Sequence, residues 1–159
     1  MQAVISYFFY DFDGVMTDNM VYFDEKGVES VRVNRGDGLA VAEIKKLGIG
    51  QAIVSTEQNP VVSKRAKKLG IPCLQGISNK KNALIKYCET KSLSISSVAF
   101  VGNDVNDSEV LQIASLSICP ADAHLSIQEI SNLVLKTKGG HGVVREILDL
   151  IIENKIVIK

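Results

Sequence analysis

Tyr7-Phe8-Phe9-Tyr10-Asp11-Phe12-Asp13-Gly14-Val15-Met16-Thr17 is the stretch whose reading decides the fold. An apolar run with the character of a buried strand stops at two carboxylates, two residues apart, followed by a glycine. Ionised carboxylates at the end of a buried strand are costly unless a cation offsets them. Strand alternation puts Asp11 and Asp13 on the same side of the chain. Two hard oxygen ligands at the C-terminal end of a strand make a seat for Mg²⁺. The pattern therefore predicts an enzyme site at the end of the first strand.

Outward from this stretch, apolar runs alternate with helical patterns, which predicts βαβ units and a mainly parallel sheet. Strands are expected near 4–10, 50–54, 72–75, 97–101, 116–118 and 133–135. Helices are expected over 38–47, 60–69, 79–91, 107–114, 124–130 and 142–154. Gly48 and Gly70 fall where helix C-caps belong, Pro60 suits a first helical position, and Asp37 is placed either to approach the site with Arg35 or to cap the helix after it. One segment breaks the alternation. Residues 19–33, with Val21-Tyr22-Phe23, then Asp24-Glu25-Lys26-Gly27, then Val28 onward, read as a β-hairpin inserted after the carboxylate pair. Alone, such a hairpin is marginal, and its apolar residues suit an edge buried by another subunit. The expected fold class is α/β, with residues 1–159 as a single domain.

The bulk composition narrows the function classes. With 159 residues, the chain is long enough to bury a substantial core, and 46% hydrophobic with 23% charged residues suits a globular protein. Eighteen basic and eighteen acidic residues give a formal net charge of zero. Global charge thus offers nothing to nucleic acid or an acidic membrane surface. Cys73, Cys88 and Cys119 are widely spaced and lack a CxxC pairing, which predicts reduced thiols in the cytoplasm. The N-terminal apolar run is short and leads straight into Asp11, so neither a signal peptide nor a membrane span is expected.

In an open α/β sheet, ligands bind beyond the C-terminal ends of the strands. The first strand ends in Asp11 and Asp13. The second ends in Ser55-Thr56-Glu57, and the third is followed by Gln75-Gly76-Ile77-Ser78-Asn79-Lys80. The fourth ends in Gly102-Asn103-Asp104-Val105-Asn106-Asp107. Phosphoryl transfer on a Mg²⁺ ion needs this set: acids for the metal, and a hydroxyl, a lysine and backbone N–H groups for phosphate oxygens. Taken singly, Ser55 reads as a turn hydroxyl, Lys80 as a solvated helix residue and Asp107 as a helix cap. The combination lifts each above that reading.

These four motifs, in this order, resemble the haloacid dehalogenase superfamily of phosphohydrolases. The resemblance implies a three-layer, Rossmann-like fold. It makes Asp11 the nucleophile that takes up the phosphoryl group, and Asp13 the acid toward the leaving alkoxide and then the base toward water. It gives Ser55 and Lys80 to the phosphoryl oxygens. The fourth motif departs from the usual pattern, since its first position is Asn103 rather than aspartate. Either the Asn103 amide oxygen or Asp104 then joins Asp11 and Asp13 as a metal ligand.

The hairpin, the Arg35-Gly36-Asp37-Gly38 turn, Gln75-Gly76, Pro120-Ala121-Asp122-Ala123 and Gly139-Gly140-His141-Gly142-Val143-Val144-Arg145-Glu146 resemble a narrower group. These are the capless, tetrameric sugar-acid phosphatases for 3-deoxy-manno-octulosonate 8-phosphate and for nine-carbon 9-phosphates of the ketodeoxynononate and sialate type. The resemblance implies a homotetramer whose hairpins assemble it and whose neighbouring subunits cover the sites. At the second motif the eight-carbon branch carries Thr-Gly-Arg and the nine-carbon branch Thr-Gly-Glu. Here Glu57 matches the nine-carbon type, and Thr56 replaces the glycine. Arg65 and Lys68, at i and i+3 on one helix face, match basic residues that reach a neighbour's sugar carboxylate. Arg145 is offered to a neighbour's site or to a pair with Glu146 or Asp149, while His124 and His141 suit core or loop roles. The function expected is a Mg²⁺-dependent phosphatase for a nine-carbon 2-keto-3-deoxy sugar acid 9-phosphate. The alternatives are the eight-carbon 8-phosphate phosphatase and a catalytically weak oligomerisation module associated with CMP-sialate synthesis.

Overall fold

The computed structural model describes residues 2–159. Its centre is a six-stranded, wholly parallel sheet built from β2 (Tyr7–Tyr10), β5 (Gly50–Val54), β6 (Cys73–Leu74), β7 (Val98–Val101), β8 (Leu116–Cys119) and β9 (Leu133–Val134). The spatial order is β6-β5-β2-β7-β8-β9, with β2 between β5 and β7. Alternation along β2 sorts its side chains to two faces. Phe8 and Tyr10 enter one core with Ala40, Val41 and Ile44 of α1 (Arg35–Lys46), Val62 of α2 (Val61–Leu69) and Ile147 of α6 (Val143–Ile152). Phe9 enters the other core with Leu84 of α3 (Lys80–Lys91), Leu111 of α4 (Ser108–Ile113) and Ile127 of α5 (Leu125–Ile130). The result is the expected three-layer α/β arrangement.

The expected first strand is broken. Ser6 hydrogen-bonds Ser97 through both backbone and side chain, so the chain steps sideways there. Before the break, β1 (Val4–Ile5) pairs in parallel with β10 (Val157–Ile158), a C-terminal strand absent from the sequence reading. The hairpin is also shorter than predicted. Its strands are β3 (Tyr22–Phe23) and β4 (Glu29–Ser30), and a separate Thr17–Val33 bridge closes its base. Met20 and Tyr22 on it are 71% exposed and Phe23 70%, so these three side chains lie outside both cores, while Val31 and Val33 pack against the first.

Helix starts correct the reading further. Asn34, not Asp37, caps α1, its Oδ1 accepting from the Gly36 and Asp37 N–H groups. Asp37 therefore falls inside the first turn and faces inward. Its Oδ1 accepts from the Val144 and Arg145 N–H groups at 3.0 and 3.2 Å, capping α6 from 107 residues away. Pro60 stands one position ahead of the first residue of α2, whose Val61 N–H donates to Asn59. The expected helix over 107–114 is a short 3₁₀ turn, Val105–Asp107, followed by α4. No helix among the described residues is long and apolar enough to cross a membrane.

Candidate active site

The parallel register aligns the strand ends. Tyr10 stands level with Ile53 of β5 and Val101 of β7, so the loops that follow open on one edge of the sheet. Asp11 is the first residue past β2, and its N–H still donates to the Val101 carbonyl at 2.9 Å. The next residues leave the strand, with the N–H groups of Val15, Met16 and Thr17 all directed at the Phe12 carbonyl. Asp13 thus sits in a tight turn, and strand alternation does not govern it. Asp11 and Asp13 nevertheless border the same cavity, of about 120 Å³, with Thr56, Asn103 and Asp104. Gly14 has φ +81°, and a side chain there would collide with the Asn103 carboxamide.

Beneath that cavity lies a buried ion triad. Lys80, the first residue of α3, reaches Asp11 Oδ1 at 2.9 Å and Asp107 Oδ1 at 2.6 Å. Asp107 is fully buried, and its other oxygen accepts from the Asn103 N–H at 3.0 Å. Burial alone would lower the Lys80 pKa, but Asp11 and Asp107 together outweigh it and raise it above the ordinary lysine value. Burial, and then Asp107, push the Asp11 carboxyl well above the ordinary carboxylate range, against the pull of Lys80. Asp13 is raised as well, first by burial and next by Glu57. Both shifts come chiefly from burial with a neighbouring acid adding to each, so further positive charge beside the two carboxyls would favour their ionised forms.

The Asn103 carboxamide decides what could supply that charge. Turned one way, its nitrogen donates to the Asp13 carbonyl at 2.9 Å and to Asp11 Oδ2 at 3.0 Å. Turned the other way, its oxygen joins those two in a convergent trio of acceptors. Neighbouring oxygens about 3 Å apart are what an octahedral ion with bonds of about 2.1 Å requires. The donor set thus fits a hard divalent cation. Asp104 also borders the cavity, and one of its carboxylate oxygens, Oδ1, accepts from the Val105 N–H at 2.7 Å.

Residues 40–147 match the family model for haloacid dehalogenase-like hydrolases. The 3-deoxy-D-manno-octulosonate 8-phosphate phosphatase of Yersinia pestis is 35% identical over 143 residues, which span 89% of this chain and 76% of that enzyme. This chain belongs to the haloacid dehalogenase-like hydrolase family. Solved structures agree across nearly its whole length. The phosphatase of the same name from Moraxella catarrhalis, described in complex with magnesium, phosphate and KDO, superposes with a TM-score of 0.89 at 29% identity. That match covers 94% of this chain and 86% of the other. A structure described as a haloacid dehalogenase family hydrolase, from Streptomyces avermitilis, is 42% identical with a TM-score of 0.89, covering 92% and 85%.

Within this hydrolase, the other predicted residues divide into groups. Ser55 is buried at the end of β5, where its Oγ accepts from the Glu57 N–H at 3.1 Å and keeps its own proton to donate. Glu57 lies in an adjoining cavity that also touches Asp13. Arg65 and Lys68 do not join either space. They border a separate groove with Arg35 and Leu39, and Arg65 Nη2 donates to the Asn34 carbonyl at 3.2 Å. Arg145 forms no ion pair among the described residues, and Glu146 instead accepts from the Lys136 and Thr137 N–H groups. His124 caps α5 and His141 bonds the Gly139 carbonyl, so both have loop roles. Asp107 is the residue the sequence reading undervalued. Its position four residues after Asn103, opposite a strand-end lysine, was the available signal.

Proposed function

We propose that this hydrolase is a Mg²⁺-dependent phosphomonoesterase acting on the 9-phosphate of a nine-carbon 2-keto-3-deoxy sugar acid. The observation that carries the phosphatase reading is the Asp11–Lys80–Asp107 triad lying under a convergent set of oxygens from Asp11, Asp13 and Asn103. The phosphatases of Yersinia pestis and Moraxella catarrhalis support the reaction class. Residues 1–159 would then form one catalytic unit, with the hairpin as the insert.

In this reading an Asp11 oxygen attacks phosphorus, and the bond from phosphorus to the ester oxygen breaks. Asp13 gives its proton to the departing alkoxide. Water then attacks the phosphorus of the aspartyl-phosphate, Asp13 takes the proton, and phosphate leaves with Asp11 restored. Ser55 Oγ donates to a phosphoryl oxygen. Lys80 holds Asp11 in place and offsets the charge gathered around it. The Asp11 carboxylate, the Asp13 carbonyl and the Asn103 amide oxygen would hold the metal, with Asp104 left to its capping role. Bound Mg²⁺ supplies Lewis-acid neutralisation of phosphoryl charge.

Substrate length rests on Glu57, which borders the cavity beside Asp13 where the eight-carbon branch is expected to carry arginine. The second reading, the eight-carbon 8-phosphate, is favoured by the names of the relatives. A sugar carboxylate finds no cation among the residues around Asp13 and Glu57. We therefore assign Arg65 and Lys68 to a neighbouring subunit's substrate, in a homotetramer joined through the exposed Met20, Tyr22 and Phe23.

Phosphate release from both sugar-acid esters, with and without Mg²⁺, tests the assignment. The expected result is Mg²⁺-dependent release with the nine-carbon ester preferred. A strong preference for the eight-carbon ester would replace our first reading with the second. No release from either, at any Mg²⁺ concentration, would leave the assembly role.

A further inference from the structure

The cavity beside Asp13 has a chemistry of its own, and one of its walls comes from the hairpin. The phosphoryl cavity and this second space, of about 270 Å³, share Asp13, Asn19 and Thr56 in their walls, so they adjoin. An ester with phosphorus over Asp11 and its leaving oxygen at Asp13 has to run its carbon chain into the second space. There, Val31 of the hairpin and Val61 and Val62 of α2 offer an aliphatic side. Facing them are oxygen-rich groups: Glu57 and Asn59 from the start of the α2 segment, and Glu29 and Asn19 from the hairpin segment. No lysine or arginine borders the space.

We infer that Glu29 is a specificity-determining residue that accepts hydrogen bonds from hydroxyl groups on the carbon chain next to the phosphoester. The inference rests on the phosphatase reading above and deepens it. A carboxylate is acceptor-only and can take two neighbouring hydroxyl donors at once. Two such carboxylates, Glu29 and Glu57, repel any acid group that enters between them. The segment nearest the phosphate is therefore uncharged and hydroxylated, packed by its C–H face on the valines, while the acid end of the substrate projects beyond the pocket. Glu29 lies on a two-residue strand, Glu29–Ser30, whose partner Phe23 is largely exposed. Its carboxylate makes no ion pair among the described residues. A site that binds hydroxyls discriminates against the analogue lacking them, because its acceptors are then left without partners.

The test compares two phosphate esters of equal chain length, glucitol 6-phosphate and hexyl phosphate, on the wild type, Glu29→Ala and Glu29→Gln with Mg²⁺ present. The wild type is expected to prefer the hydroxylated ester. Glu29→Ala should reduce that preference by about tenfold, through KM rather than kcat, and Glu29→Gln, which keeps one acceptor oxygen, by less. An unchanged preference ratio in Glu29→Ala would overturn the inference, as would loss of activity by the same factor on both esters. Absence of wild-type turnover both of these esters and of the two sugar-acid esters would count against the phosphatase reading alone. The same ratio is then read from calorimetric binding of the two esters, with the same outcomes deciding. Should Glu29→Ala fail to fold, a ratio in Glu29→Gln equal to that of the wild type is the contrary result.

Discussion

Three buried acids in this hydrolase are kept by two opposite means. At the sheet edge, Asp11 and Asp107 share the Lys80 ammonium, a side-chain cation carried on the first turn of α3. Between α1 and α6, Asp37 is 2% exposed and has no ion pair within 4 Å. The backbone N–H groups of Val144 and Arg145 donate to it, its Oδ2 has no partner, and the Arg65 guanidinium acts on it only from beyond ion-pair distance. The first arrangement keeps charge available for chemistry. The second fastens one helix to another, and burial lifts the Asp37 pKa to about 6 against the pull of those N–H groups. Burial of a carboxylate is thus no mark of catalysis by itself; the mark is a cation and an open cavity beside it.

Breaking the first arrangement should have the larger effect. Lys80→Met leaves Asp11 and Asp107 buried without their cation, and should cost about 3–5 kcal/mol in urea unfolding at neutral pH. A loss below about 1 kcal/mol would mean that the triad is not the anchor described here.

The second arrangement predicts a pH dependence of definite sign. Because the folded-state pKa of Asp37 lies above its unfolded value, the folded protein binds the proton more tightly. The ionised carboxylate therefore costs stability above about pH 6, on the order of 3 kcal/mol, and the cost is relieved as pH falls toward 4. Asp37→Asn keeps an oxygen for Val144 and Arg145 but cannot titrate. The difference in Tm between wild type and variant should shift in favour of the wild type between pH 7 and pH 5. A difference independent of pH would assign Asp37 no titrating role.

A smaller effect sharpens the comparison at the metal side. Asn103→Asp adds a negative charge to the Asp11–Asp13 oxygens and removes the amide donor that bridges them without metal. Its Tm should fall in chelator, and its Mg²⁺ affinity by calorimetry should rise by roughly tenfold. Unchanged affinity would remove Asn103 from the ligand set.

The sheet edge proposed as the active site was legible in the sequence because its residues follow strands of recognisable pattern. Asp11, Ser55, Lys80 and Asn103 each stand just after an apolar run or at a helix start. Features fixed by distant partners were not legible. Asp37 reads as a cap for its own helix, and nothing local says that Val144 and Arg145 will meet it. Ser6 looks like one more strand residue until Ser97 pulls it aside, and Val157–Ile158 is too short to announce a strand. Asp107 was legible as a cap but not as the anion that holds Lys80, because the lysine lies 27 residues earlier.

The central claim is that Asp11 becomes phosphorylated. Acid quenching during turnover of a sugar-acid phosphate, followed by mass spectrometry of the Asp11 peptide, tests it directly. The account predicts a phosphoryl group on Asp11 in the wild type, and neither that adduct nor phosphate release in Asp11→Asn. A phosphoryl group on another residue, or undiminished turnover in Asp11→Asn, would contradict it.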